Sequence, residues 1–150
     1  MSNKKGVRMK TTRGGLTLPF GILLLAAIAC NFSASTANIS DLKLGKNPTA
    51  SPETNSFGAS DTVYAVATIS NAPGAVKVTG RLVIADVEGE QSGPIPGLEK
   101  TLDLPGSATA TFTFTPPPAG FPKGKYKVEV LMLNEAGEQK DQKTAEFTVS

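Results

Sequence analysis

The chain has 150 residues, with 15 lysines and arginines against 13 acids, one cysteine and no histidine. That length holds one domain plus short extras. A single cysteine excludes an intramolecular disulfide, and the absence of histidine excludes His-based triads, His metal sites and His pH switches.

Charge is placed unevenly. Lys4, Lys5, Arg8, Lys10 and Arg13 precede the first apolar run with no acid among them, which leaves ten basic residues against thirteen acids downstream, a net of about −3. The basic balance of the whole chain thus belongs to its leading segment. It gives no support to nucleic-acid binding, which needs a basic surface on the folded part.

Residues 1–29 have the three parts of a secretory signal. Lys4 to Arg13 are the positive region, Leu16 to Ile28 the apolar region, and Ala27-Ile28-Ala29 supplies small residues at −3 and −1 before Cys30. The apolar run is shorter than the roughly 20 residues of a membrane-spanning helix. Pro19 and Gly21 also weaken its first turn. A start at Met9 rather than Met1 would give a more usual signal length. Ala27-Ile28-Ala29-Cys30 resembles the lipobox of bacterial lipoproteins. The resemblance implies that the Cys30 thiol is alkylated with diacylglycerol, that cleavage falls just before it, and that Cys30 becomes the first mature residue. Ala27 departs from the leucine that the family prefers at −3. An ordinary signal peptidase would cut the same bond and leave a secreted protein with a free thiol. Such a thiol is a liability in an oxidising compartment. Lipidation removes it, so the lipoprotein reading is preferred: a membrane anchor on Cys30 at the extracytoplasmic face of the cell envelope. Residues 30–37 are small and polar and read as a tether.

From Asn38 to Ser150 the pattern is short β-rich runs between turn clusters. Ile39–Leu44 is a first, weak strand. Residues 45–58 read as a polar loop closed by Phe57. Asp61–Ser70 is a strong strand with Val63, Ala65, Ala67 and Ile69 on one face. Val76–Glu88 is long, and Gly80 suggests a bulge or bend within it. Gly89–Gly97 reads as a Gly/Pro loop, and Leu98–Leu104 as a short strand with Leu98, Leu102 and Leu104 pointing one way. Ser107–Thr115 alternates, with Ala108, Ala110, Phe112 and Phe114 inward. The prolines of 116–122 break the sheet, since proline donates no ladder hydrogen bond. Gly124–Asn134 turns Tyr126, Val128, Val130 and Met132 to one face. Lys143–Val149 closes the chain.

Seven strands of this kind argue an all-β, two-layer antiparallel sandwich. Phe57…Asp61-Thr62-Val63-Tyr64-Ala65-Val66 and Gly120-Phe121-Pro122-x-Gly124-x-Tyr126-x-Val128-x-Val130 resemble bacterial immunoglobulin-like domains. The resemblance implies a tyrosine corner, in which the Tyr126 hydroxyl bonds a backbone group across the crossing. The disulfide and tryptophan of antibody domains are missing, so the resemblance is architectural and delivers no function.

No catalytic constellation emerges, and the chain is read as non-enzymatic, with no cofactor and no metal. A serine or threonine nucleophile would need a lysine base, and no motif supplies one. Asp86, Glu88 and Glu90, and likewise Glu135, Glu138 and Asp141, read as solvated rims rather than cation sites. Tyr64 and Tyr126 read as core or corner residues. Phe121 is the one aromatic whose loop offers it as an exposed partner anchor, and the preferred reading is a plug that covers the end of the sandwich. The preferred function is a lipid-anchored module that binds a protein partner or supports an envelope assembly. The alternatives are a carbohydrate or cell-wall binder, which needs exposed rings, and a hydrolase inhibitor acting through loops 71–75, 89–97 or 116–123.

Overall fold

Residues 36–150 are described by the computed structural model; the segment 1–29 read as a signal, with Ala27 and Ala29, and Cys30 lie outside them. The strands are β1 (Asn38–Gly45), β2 (Ser56–Phe57), β3 (Val63–Ser70), β4 (Val76–Val87), β5 (Gly93–Leu104), β6 (Ala108–Phe114), β7 (Gly124–Asn134) and β8 (Gln139–Val149). They form two sheets, a three-stranded one ordered β1-β3-β6 and a five-stranded one ordered β2-β8-β7-β4-β5. The fold is an all-β sandwich. Among the described residues no helix is long and apolar enough to cross a membrane.

The alternating residues decide which faces meet. In β3, Val63, Ala65, Ala67 and Ile69 are buried, and in β6, Ala110, Phe112 and Phe114 are. In β7 Tyr126, Val128, Val130 and Met132 are each at most 1% exposed, so both sheets turn one face fully inward. Burying each of these larger side chains contributes about 1.5–3 kcal/mol before the entropy of ordering the chain is subtracted. The core runs from Ala37 to Val149, and the compact unit Ser33–Ser150 contains all of it.

Three features differ from the sequence reading. There are eight strands rather than seven: Ser56–Phe57, read as loop, pairs in parallel with Thr148–Val149 of β8. Phe57 is 1% exposed, and its burial pulls this short segment onto the sheet. Second, β5 begins at Gly93, inside the stretch read as a loop. Pro94 and Pro96 fit there because β5 is an edge strand, which has ladder positions that need no donor. Third, Gly80 marks no bulge. It pairs in register with both Lys100 and Val130, and the irregularities fall instead between Arg81 and Val83 and between Ile84 and Asp86. Gly80 is needed for closeness. The Phe112 ring of the opposite sheet lies against its Cα, and a Cβ there would come within 2.5 Å of Phe112 Cγ.

Glu129, on the outward face of β7, is buried all the same. Its Oε2 accepts from Arg81 Nε and Nη2, both at 2.7 Å, and its Oε1 receives Lys127 Nζ at 3.0 Å. Arg81 faces Glu129 directly across the β4–β7 ladder. Desolvation alone would raise the Glu129 pKa, but the hydrogen bonds and charges of Lys127 and Arg81 outweigh it and hold the carboxyl below its usual value. A folded-state pKa below the unfolded one gives stability that is present above the ordinary value of 4.5 and fades as pH falls through the folded value. Glu129→Gln is therefore expected to be less stable than the wild type at neutral pH, with the gap closing below about pH 4.5. Urea midpoints measured across that range check this; a constant gap would contradict it.

Candidate functional site

The last crossing between the sheets, residues 115–123, carries the chain from β6 to β7, and its chemistry builds one end of the sandwich. Pro116–Pro118 stop ladder pairing after Phe114. Pro117 O then accepts from Gly120 N at 2.8 Å, and Phe121 N donates to Ala59 O at 2.8 Å, which pins the turn to the segment before β3. The turn drives Phe121 inward. At 3% exposure Phe121 is a plug at the end of the sandwich, the preferred of its two readings, and not an exposed partner anchor. The exposed residues of the connection are Thr115, Pro117, Pro118, Ala119, Pro122 and Lys123.

Beneath Phe121 runs a row of aromatic rings. Phe121 lies 6.0 Å from Tyr126, Tyr126 stacks on Phe147 at 5.4 Å, and Phe147 meets Phe57 edge-on at 5.1 Å. The Tyr126 hydroxyl donates to Pro122 O at 2.7 Å, so the residue near the start of β7 ties down the crossing that precedes it. Burial, with a smaller contribution from the Glu90 carboxylate, pushes this hydroxyl above its ordinary pKa of 10.0 and keeps it a donor. Tyr126→Phe removes the donor and strands a carbonyl. The expected loss is about 1–2 kcal/mol of unfolding free energy in urea; an unchanged midpoint would show that the bond contributes nothing.

Between this crossing and the start of β5 lies a groove of about 370 Å³. Ile84, Ile95, Leu98, Pro117, Phe121 and Tyr126 make its apolar lining, with Glu90 and Thr115 as polar members. The volume falls in the range of sites that take a small ligand or an inserted side chain. Ile95 and Leu98 are only partly covered, because β5 is an edge and, among the described residues, no further strand lies over them. The sequence named the proline-rich connection but missed β5 as the opposite wall, since Gly93–Gly97 has the composition of a loop.

The remaining candidates disperse. Tyr64 is half-buried on the outer face of β3, whereas Phe57, Phe112, Phe114, Phe121, Tyr126 and Phe147 are all buried, so none of these rings forms an exposed platform. Among the described residues no three acidic or sulfur side chains converge as metal ligands. Glu138 bonds Asn134 and Lys140 around the β7–β8 turn, and those bonds lower its pKa. Asp141 Oδ2 accepts from Ile39 N at 2.8 Å, and Lys143 Nζ donates to Ser40 O at 2.9 Å, which joins the edges of the two sheets.

No protein-family model matches the chain, and no curated protein matches it in sequence. Among solved structures it is similar to the soluble domain of PmoD from Methylocystis sp. strain Rockwell, at 16% identity and a TM-score of 0.41, over 73% of this chain and 89% of that one. It is also similar to a β-glucosidase from Listeria innocua in complex with glucose, at 17% identity and a TM-score of 0.39, over 73% of this chain. This chain spans only 16% of that enzyme's length. The sandwich assignment rests on the strand pairing above rather than on these likenesses.

Proposed function

We propose that the protein is a non-enzymatic, lipid-anchored module of the extracytoplasmic cell envelope that engages a protein partner through the groove beside its proline-rich connection. The groove carries the reading: it is the apolar concavity at one end of the sandwich, walled by an edge strand and by a turn that two backbone hydrogen bonds hold in place. A wall fixed in advance lowers the ordering cost of binding. Three carboxylates with lowered pKa values, Asp61, Glu129 and Glu138, are each engaged by a neighbouring lysine or arginine away from the groove, while the Tyr126 hydroxyl, raised above its ordinary value, donates to Pro122 O at the groove wall. The leader and Cys30 supply the location.

A photo-crosslinking amino acid placed at Pro96 or Pro117, the exposed rims, is expected to give a discrete adduct with an envelope protein in the native cells. The same group at Lys77, exposed on the outer face of β4, gives none. Ile95→Asp charges the groove and removes the adduct. Equal adducts at all three positions, or none at the rims, would overturn the assignment.

A further inference from the structure

Sheet edges are ready templates for pairing with another chain, and proteins blunt them with charges, prolines, bulges or short strands. Three of the four edges here are blunted. Strand β1 has an irregular register between Ile39 and Asp41, carries Asp41 and Lys43, and is tied by hydrogen bonds to Asp141 and Lys143. Strand β2 is two residues long. Strand β5 carries Pro94, Pro96, Glu99, Lys100 and Asp103.

Strand β6 has none of these devices. Among the described residues it pairs with β3 on one side only, and its seven residues, Ala-Thr-Ala-Thr-Phe-Thr-Phe, run in unbroken register. No ionisable side chain occurs from Leu104 to Pro122. A charged partner strand would find no complement there, whereas a second neutral strand of the same kind would.

We infer that β6 is a self-pairing edge, through which two copies join antiparallel about a two-fold axis at Thr111 into one continuous six-stranded sheet. The sequence of the strand is complementary to its own reverse. With Thr111 on the axis, Thr109 faces Thr113 of the second copy on the outer side, and hydroxyl pairs of this kind stabilise sheets. On the inner side Ala110 faces Phe112, and Ala108 faces Phe114, small against large in each pair. No like charges meet. An interface of this kind is isologous and closes at two copies, so it does not propagate into fibres. The pairing covers Ala108–Phe114 and stops short of the groove, whose first member from this segment is Thr115. It neither requires nor excludes the partner-binding reading.

The test uses the unit Ser33–Ser150, which contains its whole core and no cysteine. Sedimentation equilibrium is expected to show a monomer–dimer equilibrium. Thr111→Lys sets like charges opposite each other on the axis and is expected to weaken the dimer by about tenfold or more. Thr111→Glu does the same, and an equimolar mixture of the two variants recovers association as a heterodimer. Thr111 is a surface position, and an unchanged circular dichroism spectrum shows that each variant is folded. Thr111→Cys is expected to form a disulfide between two chains under mild oxidation, with Lys43→Cys on β1 as the control that forms none. A monomer at every concentration overturns the inference and leaves the edge to a foreign strand or to none. A dimer that ignores both charge substitutions, or that cross-links equally at Lys43, overturns it as well.

Discussion

Gly80→Ala is expected to destabilise the sandwich by about 1–3 kcal/mol, the cost of forcing a methyl group into a packed core. Alanine has better strand statistics than glycine and restricts the unfolded chain, which would favour the variant by about 0.5–1 kcal/mol if there were room. There is none. The three nearest atoms to a Cβ at this position are Phe112 Cγ, Cδ1 and Cδ2, at 2.5, 2.6 and 2.8 Å. The Phe112 ring is 0% exposed, so it has no solvent side to turn towards. A double-mutant cycle isolates the contact. Phe112→Ala alone is expected to cost about 3–5 kcal/mol through the cavity it opens. In Gly80→Ala/Phe112→Ala the new methyl sits in that cavity, so the double variant should be more stable than the summed single effects predict. Additive losses in urea unfolding would mean that the two sheets do not meet at this point.

A comparable loss, about 2–4 kcal/mol, is expected for Gly124→Ala, for a different reason. Gly124 opens β7 with a φ of +151°, a conformation that side chains rarely adopt. A Cβ there would meet backbone as well as side chain: Asp86 O at 2.5 Å, Val87 Cγ2 at 2.7 Å and Val87 Cα at 3.0 Å. Strand β4 has just passed its second irregularity, between Ile84 and Asp86, and Val87 pairs with Gly124 beyond it. The close approach sets where β7 begins, and so places Tyr126 two residues on. The substitution should therefore weaken the tie from Tyr126 to Pro122, seen as a loss of near-ultraviolet circular dichroism from tyrosine alongside the drop in unfolding free energy. A loss below about 0.5 kcal/mol would show that the β4 backbone yields.

Strands whose two faces differ were legible in the sequence. β3, β6 and β7 alternate so strictly that their inward residues can be named one by one, and apart from the half-buried Ala108 these are the residues that fill the core. Tyr126 was placed near the start of its strand, and the structure sets its hydroxyl on Pro122 O. What the sequence hid depends on partners far along the chain. Glu129 lies on the face of β7 opposite Tyr126 and Val128, and its burial depends on Arg81, 48 positions away, which is set opposite it. Phe121 reads either as an anchor or as an end plug, and the bond from its N–H to Ala59 O, 62 positions away, holds it as the plug. Gly80 reads as a bend because the ring that demands it belongs to the other sheet. Gly93–Gly97 reads as a loop because an edge strand tolerates prolines that a central strand would reject.

The proposed attachment through Cys30 would give the sandwich and its groove their place in the cell, and metabolic labelling with an alkyne palmitate analogue tests it most directly. The full chain expressed in its native cells should take up the label and sediment with membranes, while Cys30→Ser takes up none and is released from them. Equal labelling of the two proteins, or an unlabelled wild type, would contradict the account.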